Sequence, residues 1–314
     1  MKGAAVHGQR LASVRVLVTG AGGFIGSHLC TSLLALGAEV HGVSRRSVTN
    51  GGVRWWNADL ADSEAVHRVM NEVRPSMVFH LASHVSGSRD LAAVTPTLRD
   101  NLLTTVNVLV AACKIDGPRV LLAGSLEEGA DGDTETPPAS PYAAAKAASA
   151  AYGRMFHALY GLPVVNLRTF MTYGPAQRDG SKLIPYVTNS LLRGEPPRLS
   201  SGTREVDWIY VGDVVDAYLA AAVADGVEGT SIDIGSGDLV TIRSVVEQLV
   251  ELAGGDVRAQ FGAVPDRPME RVRRADVKAT REAIGWQAAV ALPDGLARTV
   301  AWFRERVEDG AWAD

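Results

Sequence analysis

The sequence predicts an α/β fold: a doubly wound parallel sheet with a smaller, interleaved C-terminal lobe. Three observations predict it. Short β-branched runs (VRVLV, AEVHGV, MVFHL, RVLLA, PVVNLR) alternate with longer helical patterns, the rhythm of βαβ units. The runs are apolar throughout rather than alternating, as strands covered by helices on both faces must be. The first run leads straight into a glycine-rich turn and then an amphipathic stretch, which makes the arrangement Rossmann-like.

Each element follows in order. VRVLV from Val14 opens the sheet, TGAGGFIG makes the turn, and FIGSHLCTSLLALG is the first helix. AEVHGV is the second strand, and a helix is expected near residues 63–73. MVFHL, a helix near 94–115, and RVLLA complete the next unit. A helix starts after Pro141 and PVVNLR is the sixth strand. Beyond Gly174 the rhythm breaks: 174–204 is rich in Pro, Gly and Arg around one helix, KLIPYVTNSLL, and reads as an inserted lobe. VDWIYV and a helix from Asp213 read as sheet-bound again. A helix at 242–252, the basic segment DRPMERVRR and a last helix near 296–306 close the chain. The expected organisation is one domain of 14–170 with about 206–235, a lobe of 171–205 and 236–314, and a loose tail at 1–13.

Composition narrows the partners. With 314 residues, 46% apolar and 21% charged, the chain has enough apolar content for a large core, which excludes disorder. The 31 basic against 35 acidic residues leave a net charge of −4, which offers no global attraction for nucleic acid or anionic membrane. Cys30 and Cys113 sit in helical patterns with no metal-ligand spacing. No apolar run reaches the ~18 residues that span a bilayer. A cytoplasmic protein with a small-molecule partner is the expectation.

Gly20, Gly23 and Gly26 occupy the strand-to-helix turn in GxxGxxG spacing. Glycine permits positive φ, lets backbone approach a pyrophosphate and allows close helix packing, while the helix start supplies N–H donors; a dinucleotide site is the reading. An NAD-binding chain would place an acid at the end of the second strand to hold the ribose 2′-hydroxyl. Here Ser44, Arg45 and Arg46 stand instead, a set suited to a 2′-phosphate, so NADP(H) is favoured and NAD(H) remains possible. Asp59 either meets the adenine or caps the following helix.

In YAAAKAASAAY the i, i+4 spacing puts Tyr142 and Lys146 on one helix face. An adjacent ammonium favours phenolate and would lower the tyrosine's pKa.

TGAGGFIG, the serine of LLAGSLEE and YAAAK together resemble the short-chain dehydrogenase/reductase superfamily. RTFMTYGP, VDWIYVGDVV, DIGSG, DRPMERVRRADVKATREAIGW and LPDGLARTVAWFRE narrow the resemblance to its extended branch, the NAD-dependent epimerase/dehydratase family of nucleotide-sugar enzymes, over 14–306. The resemblance implies that Tyr142 is the general acid/base, that Lys146 orients the ribose, and that Ser125 bonds the sugar oxygen. It implies cofactor contacts from Phe24, Ile25, Leu60, Leu81, Ala82 and Asn101, the asparagine lying beside the lysine. His84, Thr172, Arg204 and Arg267 are its candidates for the nucleotide-diphosphate sugar. A homodimer through the helices of 94–115 and 142–160 is implied too.

The motifs depart from the family pattern where the reaction is chosen. Val206 stands where an arginine is usual, with Arg204 two residues upstream, and Met171 and Thr172 replace an asparagine. Of the acidic pair that dehydration uses, only Glu127 is present, because Leu126 stands in place of the aspartate. An NADPH-dependent 4-ketoreductase is the leading expectation, with a redox-neutral 4-epimerase as alternative, then a 4,6-dehydratase. A non-catalytic dinucleotide sensor would have no reason to keep Ser125, Tyr142 and Lys146 together.

Overall fold

The computed structural model describes residues 10–45, 51–129 and 136–308. Seven parallel strands form the main sheet: β1 Arg15–Thr19, β2 Glu39–Ser44, β3 Arg54–Asn57, β4 Met77–His80, β5 Arg119–Ser125, β6 Val164–Thr169 and β9 Ser231–Ile234, in the order β3-β2-β1-β4-β5-β6-β9. The order reverses between β1 and β4, the topological switch point at which open α/β sheets bind ligands beyond the carboxyl ends of their strands. β1 is held on both sides in register, Val18 opposite Gly42 and Phe79.

The helices form where periodicity and caps agree. α1 spans Phe24–Ala35. α2, Ser63–Val73, starts on Asp62, whose carboxylate accepts from the Glu64 and Ala65 N–H groups, and ends on Arg74 in the left-handed region. The segment expected as one helix near 94–115 is a helical turn Val94–Thr97, a π-helical stretch Leu98–Leu103, and α3, Thr104–Cys113. α4, Pro141–Tyr160, has Ser140 as its N-cap, proline in its first turn and Gly161 at φ 67° to stop it. Val66, Val69, Met70, Val108, Leu109, Val120, Leu122 and Phe156 fill one core of this layer.

The chain divides into two compact units. The first comprises residues up to Thr169, Val215–Ile234 and Lys278–Trp286; the second comprises Phe170–Val214, Gly235–Val277 and the rest from Gln287. In the second unit β7 Met171–Tyr173, β8 Glu205–Tyr210 and β10 Leu239–Thr241 form a sheet in the order β10-β8-β7. α5 Leu183–Leu192, α7 Ile242–Ala253 and α9 Leu292–Glu308 lie in this unit. α6 Val211–Val223 and α8 Val277–Ile284 each cross the division between units.

Three expectations differ from what is found. VDWIYV is not a main-sheet strand: β8 pairs antiparallel with β10 and parallel with β7, because Val206 and Trp208 alternate into the second unit's own core beside Val245 and Leu249. Residues 278–286 belong with the first unit, where Thr280 Oγ1 donates to the Asp233 carbonyl at 2.7 Å. The described part of the tail is docked: Leu11 is fully buried and Arg10 bonds Asp225. Residues 1–9 lie outside the described residues.

Asp207, 1% exposed on β8, holds the second unit's loops. Its carboxylate accepts from the N–H groups of Ser236 (2.7 Å), Gly237 (3.0 Å) and Ala275 (3.0 Å) and from Ser236 Oγ (2.7 Å). Buried donors left without an acceptor cost about 1–3 kcal/mol each. Asp207→Ala is therefore expected to lower the free energy of unfolding by at least ~2 kcal/mol in urea titration; a loss within ~0.5 kcal/mol would show that water replaces the carboxylate.

Candidate active site

The turn after β1 closes on itself. Gly20 has φ 69° and its carbonyl accepts the Gly23 N–H at 2.9 Å. A Cβ on Gly20 would stand 2.7 Å from the Ala82 nitrogen, and one on Gly26 would overlap the Gly20 carbonyl oxygen. Glycine at both places is thus a requirement of packing and backbone conformation. α1 begins at Gly23 with no side-chain cap, so its first N–H groups are left for an incoming acceptor. Phe24 and Ile25 are half-buried on its first turn, and Phe24 meets His28 edge-on at 5.9 Å.

Beneath the turn runs a buried polar chain. Thr19 Oγ1 accepts the Ala82 N–H at 3.1 Å and lies 2.8 Å from His80 Nδ1. His80 Nε2 lies 3.1 Å from Thr105 Oγ1, which donates to the Asn101 carbonyl at 2.7 Å. Burial, followed by the charge of Lys146, lowers the His80 pKa to about 3, so this imidazole is neutral and structural. Leu81 donates its N–H to the Thr19 carbonyl, which leaves Leu81 and Ala82 lining the β4 end of the switch point.

At the β2 end Ser44 accepts the Ala58 N–H at 3.2 Å. Arg45 is exposed, with a guanidinium nitrogen 3.7 Å from an Asp100 carboxylate oxygen; Arg46 lies outside the described residues. Asp59 does not cap α2, since Asp62 does. It accepts the Ala61 N–H at 3.0 Å and pairs with Arg99. These bonds, the backbone one foremost, lower its pKa against the opposing effect of desolvation. The adjacent Leu60 is buried, and its carbonyl accepts from Asn107.

Ser125, Tyr142 and Lys146 come together at the end of β5, each less than a tenth exposed. Ser125 and Tyr142 are hydrogen-bonded through their side chains. The Lys146 ammonium lies 5.7 Å from the centre of the tyrosine ring and donates to the Ala123 carbonyl at 2.6 Å. The expected lowering of the tyrosine pKa is not found. Burial pushes the Tyr142 phenol upward, the Glu127 and Glu128 carboxylates push it further, and only the Ser125 bond opposes them. Burial also lowers Lys146 to about 8. Desolvation therefore outweighs the pairing that helix spacing suggests.

Glu127, exposed, accepts from Ser140 Oγ at 3.2 Å. Asn101 is not tied to the lysine. Its side chain accepts from Ser83 Oγ (2.9 Å) and the His84 N–H (2.7 Å) and donates to the His84 carbonyl (3.1 Å), clamping the loop after β4. His84 is held by its backbone, and the residue is exposed. Thr172, Arg204 and Arg267 all belong to the second unit. Thr172 Oγ1 donates to the Phe170 carbonyl, and Arg204 pairs with Glu270 at 3.0 Å. Arg267 is exposed, with no side-chain partner among the described residues.

Sequence reasoning missed Thr19, His80 and Glu128. Glu128 is half-buried, with its carboxylate on the Ser125 N–H at 2.7 Å; the signal available for it is S-x-x-E, the spacing of a capping box. Among the described residues no group of His, Cys, Asp or Glu is arranged to hold a metal, and no helix is long and apolar enough to cross a membrane.

This geometry has relatives. The chain is 30% identical to a UDP-glucose 4-epimerase of Mycolicibacterium smegmatis, over 93% of this chain and 99% of that protein. It is 30% identical to a dTDP-glucose 4,6-dehydratase of Streptomyces niveus, over 93% of each. Among solved structures, MoeE5 in complex with UDP-glucose and NAD superposes with a TM-score of 0.83 at 34% identity, covering 93% of this chain and 99% of that one. Residues 16–235 match the model of one family, and with the glycine turn, the parallel sheet and the serine–tyrosine–lysine cluster in place, the chain belongs to the NAD dependent epimerase/dehydratase family of short-chain dehydrogenase/reductase enzymes.

Proposed function

We propose that the enzyme reduces a 4-keto nucleotide-activated sugar at C4 with NADPH. The observation that carries this reading is the buried cluster of Ser125, Tyr142 and Lys146, in which the tyrosine is held as a phenol with a proton to give. The turn suits a dinucleotide, because Gly20 and Gly26 leave room that a Cβ would fill and α1 starts uncapped. The backbone of Gly20, Gly23, Phe24, Ile25 and Gly26 would hold the pyrophosphate. Arg45 and Arg46 would take the 2′-phosphate, and Asp59, Leu60, Leu81 and Ala82 the adenosine side. When bound, the dinucleotide supplies the hydride.

The chain's own residues do the rest. Ser125 donates to the sugar oxygen, Tyr142 delivers the proton as charge develops there, and Lys146 orients the ribose and offers a positive charge to the phenolate that remains. Arg204 and Arg267 are our candidates for the diphosphate. Leu126 in place of an acid disfavours elimination. Neither cysteine is in a disulfide, and Cys30 is buried with its thiol pushed up to about 12, in keeping with a cytoplasmic setting.

A second reading has its own support: relatives over the full length are named 4-epimerases, which are redox-neutral. Product analysis separates the two. With a 4-keto nucleotide sugar the expected outcome is one NADPH consumed per sugar, and Tyr142→Phe is expected to lower turnover at least ~100-fold while NADPH affinity stays nearly constant. Interconversion of C4 epimers without net cofactor change would replace this reading with the epimerase, and loss of water would implicate Glu127 and a dehydratase.

Cofactor choice is tested by titration. NADPH is expected to bind at least ~10-fold more tightly than NADH, since a charge-assisted bond is worth about 1.5–3 kcal/mol, and Arg45→Glu should abolish the difference. Equal affinities in the unaltered protein would end the NADPH assignment.

A homodimer is proposed through the 91–103 segment and α4. Leu91, Val94, Leu98, Tyr152 and Leu159 are exposed there, as are Ala144 and Ala151, an apolar surface of the kind that marks an interface. Light scattering should give twice the chain mass at micromolar concentration; the mass of a single chain would exclude this assembly.

A further inference from the structure

The strand segment that carries Ser125 is gripped at consecutive residues. Lys146 Nζ donates to the Ala123 carbonyl at 2.6 Å. Two residues on, the Ser125 N–H donates to Glu128 Oε1 at 2.7 Å. Between them, a Cβ on Gly124 would stand 2.5 Å from Glu128 Oε1 and 2.8 Å from Asn166 Oδ1, so glycine leaves the space that the carboxylate occupies. The other oxygen, Glu128 Oε2, accepts from Asn166 Nδ2 on β6 at 2.8 Å, and Asn166 Nδ2 also meets Ser231 Oγ on β9 at 3.2 Å. The carboxylate is thus set against β5 and β6 with both oxygens accepting from nitrogen donors, and these bonds favour its charged form against the desolvation that raises its pKa.

Its charge reaches the catalytic pair. Glu128 favours the protonated form of Lys146 against the desolvation that lowers it, and it opposes the phenolate of Tyr142. The remaining titratable groups of this neighbourhood are Glu127 beside it, Arg168 on β6, Tyr218 on α6 and His80 on β4. His80 is neutral, Arg168 is paired with Asp233 at 2.7 Å, and Tyr218 bonds Thr169. Removing Glu128 would leave Lys146 charged and buried with less to compensate it.

We propose that Glu128 is a positioning residue of this site: it pins the Ser125 peptide and, by its negative charge, keeps Tyr142 and Lys146 together in their proton-donating state. The proposal rests on the reading of Tyr142 as proton donor to a sugar ketone, and it gives that reading a resting state in which phenol and ammonium are both loaded.

The test is the pH dependence of Lys146 acetylation by trace acetic anhydride, read by peptide mass spectrometry on the protein without substrate. Glu128→Gln keeps shape and loses charge, so the midpoint for Lys146 should move to lower pH with the thermal transition retained. Glu128→Asp, which keeps the charge, should restore the midpoint toward that of the unaltered protein. A midpoint unmoved in Glu128→Gln, or moved equally in both variants, would overturn the proposal. Should Glu128→Gln not fold, Glu128→Met, of similar length and also uncharged, takes its place: a lower midpoint supports the role, an unchanged one refutes it. Because no turnover enters this measurement, it stands apart from the functional reading, which fails instead if Tyr142→Phe retains full activity.

Discussion

The site depends on one close approach, that of the Gly20 peptide to the Leu81–Ala82 peptide across the switch point. With no side chain on Gly20, β1 and β4 can end side by side and Thr19 can reach the Ala82 N–H. With none on Gly26, the first turn of α1 can sit directly on the Gly20 carbonyl. The buried chain from Thr19 through His80 and Thr105 to Asn101 then carries this geometry to the loop at Ser83 and His84. A larger residue at either glycine would separate elements that those bonds hold together.

Burial dominates the chemistry in the same way. Ser125, Tyr142 and Lys146 lie where water is largely excluded, and the field there comes from a few fixed groups rather than from solvent. That is why the tyrosine stays a phenol beside a lysine, contrary to what spacing alone suggests. An acid kept protonated is suited to delivering its proton only as negative charge appears on a neighbouring oxygen.

Much of this is legible in the sequence. The parallel sheet shows in the uninterrupted apolar runs, the turn in Gly20, Gly23 and Gly26, and the shared face of Tyr142 and Lys146 in their spacing. β8 is misread because VDWIYV is apolar enough to pass for a main-sheet strand; its place depends on the core that Val206 and Trp208 share with Val245 and Leu249 and on the loop donors that Asp207 meets, both far along the chain. Glu128 and His80 escape for a related reason. A glutamate in a short helical turn and a histidine at a strand end look solvated until the fold covers them, and that cover is a property of distant neighbours such as Asn166 and Thr105. The broken helix of 94–113 is equally hidden, since its composition is helical throughout.

That broken helix has a consequence of its own. A π-helical stretch is the footprint of one extra residue in an α-helical ladder, and each residue advances a helix by about 100°. Leu98–Leu103 therefore acts as a phase shifter. Upstream of it the helical path shows Leu91 and Val94 to the outside; downstream Val108, Leu109, Ala111 and Ala112 are turned to the core, and Asn101 sits at the offset with its amide placed to clamp the loop. Deleting a single residue here would return the ladder to regular winding and rotate one end of the helix against the other, so the length of this stretch, and not only its side chains, sets which residues face the core.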